Sequence, residues 1–182
     1  MKKFLAAALT AVMMFSLAAC GKTGLAGAGN DDVEVYDNQA GSSTYEGKIG
    51  STLKTAWFNF EVTDAYVTDR EIGGYEVSDG NRLLVVEVML INTYGEPVPM
   101  FDDDFWIEWG EDDGTYPVAV SEPLTDEQFP REYELAKKEI RTGTVIFEVP
   151  DDEEDFTFVF LEYFEDNTEG NYYTVEFTAE EE

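Results

Sequence analysis

Chemically capable side chains are unevenly supplied in this sequence. Forty Asp and Glu stand against eleven Lys and Arg, His is absent, and the single Cys is at position 20. Without His the chain lacks the general base that titrates closest to neutrality and the commonest transition-metal ligand. A Ser-His-Asp arrangement is excluded, and no Gly-rich loop stands between a strand and a helix to cradle a phosphate. Carboxylate chemistry remains, concentrated in Asp102-Asp103-Asp104, Glu111-Asp112-Asp113 and Asp151-Asp152-Glu153-Glu154-Asp155. Calcium takes roughly six to eight hard oxygen ligands, so acids converging from loops are what such an ion needs. Asp102, Asp103 and Asp104 are the candidate ligands, and calcium is the one cofactor the sequence leaves open. The first two runs flank the segment Phe105 to Trp109, about 17 Å long as a strand, which holds them at opposite ends of a sheet. None of the runs has the alternating spacing of an EF-hand loop, and solvated turns are the simpler reading. Paired acids also act as acid and base in glycoside hydrolysis. With forty acids some such pair arises by chance, so no catalytic residue is assigned and a non-enzyme is expected.

Aromatic side chains offer a second kind of chemistry, stacking on sugar rings. Trp57 and Trp109 alternate with core positions. Trp106 has the opposite parity from Phe105 and Ile107 and is the candidate stacking residue.

The lone Cys belongs to a different pattern. Met1 to Lys3 are basic, Phe4 to Leu17 form an apolar run, and Ala18-Ala19 precede Cys20. This is the layout of a secretory signal peptide, too short for an ordinary spanning helix. Leu17-Ala18-Ala19-Cys20 resembles a bacterial lipobox. That resemblance implies a diacylglycerol on the Cys20 sulfur, acyl chains of the palmitate kind, and cleavage after residue 19. Two chains anchor stably where one is marginal. The expected location is extracytoplasmic, held at the cell membrane by lipid on Cys20.

The elements that must position any site follow. Residues 20–50 are rich in Gly, Ser, Ala, Asn and Asp without a sustained apolar period, which predicts a lipidated flexible linker; "VEVYD" within it is a possible edge strand. From residue 51 to 182, β-branched and aromatic runs are separated by turn signals, the pattern of an all-β sandwich of about seven antiparallel strands. Phe58, Phe60 and Val62 alternate with polar positions. Leu84, Val86, Val88 and Leu90 line one face of a run whose other face carries Leu83, Val85, Met89 and Ile91, which predicts a central strand. Val145, Phe147 and Val149, and then Phe156, Phe158 and Phe160, repeat the alternation. "GEDDGTYPVAV" predicts a turn into a short strand. "SEPLTDEQFPREYELAKK" is the one helical candidate: Thr125 and Gln128 have capping-box spacing, but Pro130 limits it to a turn or two.

The phrases "FEVTDAYV", "RLLVVEVMLINTYGEPV" with Asn92 at its strand's end, "FWIEWGEDDGTYPV" with Gly114-Thr115-Tyr116, and "GTVIFEVPDD" recur in the order seen in telokin-like, immunoglobulin-fold domains of unknown function carried by secreted bacterial lipoproteins. The chain resembles that group from about Gly47 to Phe177. The resemblance implies an immunoglobulin-like sandwich acting in extracellular binding or adhesion, and it brings no catalytic residues. The expectation is a lipid-anchored binding or interaction module at the cell surface, its partner an extracellular protein or glycan. A net charge of −29 repels nucleic acid. A calcium-dependent adhesion or stability module and a carboxylate glycan hydrolase are the alternatives.

Overall fold

Alternation of apolar and polar positions decides the layering. The computed structural model describes residues 33–37, 42–110, 117, 119–164 and 168–182, and none of them is helical. The expected signal segment, Cys20, Glu111-Asp112-Asp113 and Gly114-Thr115-Tyr116 lie outside the described residues.

Twelve strands follow in order: β1 (Glu34–Asp37), β2 (Ser43–Lys48), β3 (Leu53–Lys54), β4 (Phe58–Thr68), β5 (Asn81–Asn92), β6 (Val98–Phe101), β7 (Phe105–Glu108), β8 (Glu132–Leu135), β9 (Ile140–Pro150), β10 (Asp155–Tyr163), β11 (Glu169–Thr178) and β12 (Glu180–Glu181). One sheet has the order β1-β2-β11-β10-β7 and the other β12-β4-β5-β9, with β3 on β4; β6 and β8 make a separate ribbon. Pairing is antiparallel except for β2 on β11 and β12 on β4, which are parallel. The chain is thus an all-β sandwich, and the strands beyond the expected seven or so are mostly pieces of two to four residues at edges and loops.

Between the sheets, Phe58, Phe60 and Val62 of β4, the even positions 84–90 of β5, and Val145, Phe147 and Val149 of β9 meet Phe105, Ile107, Phe156, Phe158, Phe160, Tyr173 and Val175. The packing is aromatic. Phe58 meets Phe160 edge-on with centroids 5.0 Å apart, and Phe105 stacks on Phe158 at 4.9 Å. Truncating a fully buried ring such as Phe60 removes both burial and these contacts, at about 3–5 kcal/mol. β5 is central between β4 and β9. Its second face is covered because Leu83 and Val85, with Ile146, pack under Ile72, Tyr75, Val77, Val120 and Leu124.

Three expectations change. The sandwich begins before residue 51, because β2 pairs with β11 and β1 pairs with β2, so the end of the expected linker is sheet. Segment 121–138 forms no helix. The Thr125 hydroxyl does accept the Gln128 N–H at 3.2 Å, but the Gln128 side chain accepts from Leu124 N–H and donates to the Val120 carbonyl, 2.8 and 2.7 Å away. A capping motif therefore fastens a loop against β9, and Pro130 ends it before β8. Of the segment expected to turn into a short strand, the described residues Pro117, Ala119 and Val120 are not strand, although Val120 N–H donates to the Ile146 carbonyl.

Candidate functional site

At one end of the sandwich the ends of β4, β5 and β10 and the start of β6 leave a groove of about 310 Å³. Its floor is Phe58, Phe160 and Met100; Trp57, Tyr94, Pro97, Pro99 and Tyr163 line it, and Asp104 contributes a carboxylate. Tyr94, Tyr163 and neighbouring Phe164 are exposed by 48%, 57% and 43%, although large aromatics are ordinarily the side chains a sandwich hides. The half-buried Trp57 ring sits 5.5 Å from that of Phe164.

Local hydrogen bonds fix these walls. The Thr55 hydroxyl donates to the Phe58 carbonyl and accepts from the N–H groups of Trp57 and Phe58, which turns the chain just before β4. The Trp57 carbonyl accepts from Thr93 and Tyr94 at 3.2 and 2.9 Å. Asn92, buried at the end of β5, donates to the carbonyls of Glu96 and Leu135 and accepts from Tyr94 N–H. One side chain thereby shapes the loop that carries Tyr94 and Pro97. Behind the Trp57 side lies Glu162, 1% exposed, whose carboxylate accepts from Ala56 N–H, Asn171 N–H and the Tyr173 hydroxyl. A buried charge is tolerable when its oxygens are filled in this way.

The three consecutive acids diverge. Asp102 accompanies Arg131, with an ion pair at 3.9 Å and a backbone hydrogen bond. Asp103 is exposed. Asp104 turns back so that Oδ2 accepts from Phe101 N–H at 2.7 Å, leaving the carboxylate at the groove. Burial, opposed by that hydrogen bond and reinforced by Asp103 and Asp102, pushes its pKa up to about 6. Among the described residues no group of three or more acids is arranged to hold a metal ion. The run Asp151 to Asp155 forms the β9–β10 turn, where Glu153 accepts from the N–H groups of Glu154 and Asp155.

Trp106 lies on the outer face of its sheet, away from the groove. Its indole N–H and the Tyr172 hydroxyl both donate to the same Glu108 oxygen at 2.8 Å, and the two rings are 6.1 Å apart. Sequence reasoning singled out Trp106 but missed Trp57, Tyr94 and Tyr163 as groove residues. The one available signal was Asn92 at the strand's end. At the opposite end of the sandwich a polar hollow of about 480 Å³ is lined by Lys48, Glu108, Trp109, Asp155 and Glu176.

With this geometry the chain is similar in fold to a candidate lipoprotein of Bacillus subtilis (TM-score 0.50, 15% identity), matching 70% of this chain and 38% of that one. It is also similar to MPT63, a secreted protein of Mycobacterium tuberculosis (TM-score 0.52, 15% identity), over 70% of this chain and 95% of that one. The shared property is the sandwich. At such identity the likeness shows the fold alone. No family model matches the chain, and no curated protein matches it.

Proposed function

We propose that this chain is a lipid-anchored, non-catalytic module of the cell surface that binds its partner through the aromatic groove. The observation that carries this reading is the exposure of Tyr94, Tyr163 and Phe164 beside half-buried Trp57, around a preformed concavity with one carboxylate. Strand direction supports it. β1 starts at Glu34, paired with Glu46, and runs to Asp37, paired with Ser43, whose N–H bonds Asn171 near the groove end. A lipid on Cys20 therefore pulls from the end marked by Lys48 and Asp155, and the groove faces away from the membrane. The lipobox and the secreted protein among its fold neighbours agree with an extracytoplasmic place.

The test is a photo-crosslinking residue at Tyr94 or Tyr163 in the full-length, anchored protein in its native envelope, with Thr63, exposed midway along β4, as control. Capture of one discrete species at the groove positions and none at Thr63 is expected. Equal labelling at all three sites overturns the groove reading, and a Cys20→Ser chain that stays membrane-bound overturns the anchor.

A further inference from the structure

We propose that the groove takes the side-chain ammonium of a lysine from a protein partner, with the aliphatic stem on the aromatic floor and the nitrogen at Asp104. The inference rests on the groove reading above and adds the chemical class of the occupant. Four observations carry it.

The first is charge. Asp104 lies beside Asp102 and Asp103 of its own turn, with Arg131 directed at Asp102; from β8 the neutral phenol of Tyr133 faces it, and Arg141 of β9 lies on the Tyr133 ring. Arg131 pairs with Asp102, while Arg141 pairs with Glu139 at 2.6 Å and lies over the Tyr133 ring. Among the described residues no cation pairs with Asp104. A half-buried carboxylate without a counter-ion is what an incoming cation needs.

The second is the open oxygen. Oδ2 is engaged by Phe101 N–H, while Oδ1 accepts no hydrogen bond among the described residues. One free acceptor suits a compact N–H donor. A guanidinium is best recognised by two parallel hydrogen bonds, and here one of the two oxygens is already engaged by Phe101 N–H, while a quaternary ammonium has no hydrogen to donate.

The third is the lining. Phe58, Phe160 and Met100 beneath, and Trp57, Tyr94 and Tyr163 around, offer apolar surface for a four-carbon stem and π faces for the cation. The fourth is the field of the whole chain: a formal charge of −29 attracts basic partners and speeds their encounter.

The experiment is a titration of the full-length chain in detergent micelles, followed by amide and indole NMR shifts. The probes are Nα-acetyl-lysine methylamide, its norleucine and arginine counterparts, and tetramethylammonium. The expected result is millimolar binding of the lysine probe, shifting Trp57 and Tyr94. The norleucine, arginine and tetramethylammonium probes should bind at least tenfold more weakly. Asp104→Asn, which can still accept from Phe101 N–H, should lose at least tenfold affinity for lysine while keeping the dispersed spectrum of a folded chain. Binding by norleucine as strong as by lysine, or an unaffected Asp104→Asn chain, overturns the ammonium assignment; selective groove crosslinking in the envelope would then still stand. Tight tetramethylammonium binding or shifts confined to Trp106 and Tyr172 also overturn it.

Discussion

The Tyr173 hydroxyl donates to Oε1 of Glu162 at 2.9 Å, inside the sandwich and next to the loop that carries Trp57. Burial first, then the Glu162 charge and this hydrogen bond, push the phenol well above its ordinary pKa. Replacing Tyr173 by Phe removes one of three donors to a buried carboxylate. The expected loss is about 1.5–3 kcal/mol, the range for hydrogen bonds to charged groups, read as a lower urea midpoint at unchanged slope.

Gly170 crosses directly over the same carboxylate. A Cβ there would lie 2.7 Å from Glu162 Cβ and 2.8 Å from both its Oε2 and Phe164 Cε2. Gly170→Ala is expected to cost about 1–3 kcal/mol through overpacking. Because the displaced atoms belong to Glu162 and Phe164, the Trp57 indole resonance should also shift. An unshifted indole in a destabilised variant would show that the strain stays on β11.

Asp104 is held in the fold at a cost to stability. Its folded pKa of about 6 lies above the ordinary 3.8, so the folded state binds the proton more tightly than the unfolded one. The penalty is fully present above pH 6 and disappears as pH falls toward 3.8. Asp104→Asn should therefore stabilise the chain by about 1–2 kcal/mol at pH 7.5, after allowing for partial exposure, with no gain near pH 4. Paired thermal melts at the two pH values check this. A neutral or destabilising change at pH 7.5 would count against an uncompensated charge.

Glu148 behaves in the opposite sense. On the outer face of β9 it accepts from Asn81 Nδ2 at 2.8 Å, Ser78 N–H at 3.0 Å and the Tyr75 hydroxyl at 2.8 Å, which lowers its pKa from 4.5 to about 2. This stability is complete above pH 4.5 and is lost as pH falls toward 2. Glu148→Gln should lower stability at pH 7 by about 1–2 kcal/mol, discounted for exposure, and flatten the acid limb of the melting curve. The loop from Ile72 to Val77 should become easier to cleave with protease.

The N-terminal strands make a further prediction. Tyr45 of β2 stacks on Tyr173 at 4.9 Å, and β2 covers the edge of β11 in parallel register from Tyr172 to Glu176. A chain starting at Ser51 exposes that edge and half of the ring pair, so it should melt at least 5 °C lower than a chain starting at Val33 and self-associate through the bare strand. Equal melting temperatures and a monomer would restore residue 51 as the start of the sandwich.

How much of this could be read beforehand depended on the range of the interactions. The inward positions of β4, β5, β9 and β10 were legible because strand periodicity is local, and β5 was recognisable as central because both its faces are apolar. β2 was not: "STYEGK" is polar and Gly-containing, and becomes strand because β11 offers it an unpaired edge. The same holds for Thr125 and Gln128, whose local spacing suits a helix cap but whose side-chain partners, Leu124 and Val120, are in a loop held by backbone hydrogen bonds to β9.

By itself the sequence determined a lipobox-like N-terminus, an acidic chain without histidine and an all-β sandwich, because these follow from residue type and short-range alternation. Tertiary structure alone decided that Asp104 separates from Asp102 and Asp103, and that Trp57, Tyr94 and Tyr163 surround one groove. These residues are separated by up to about a hundred positions and meet only where the strand ends of two sheets converge. No local pattern encodes that convergence, since it is set by strand pairing and by buried partners such as Asn92 and Glu162.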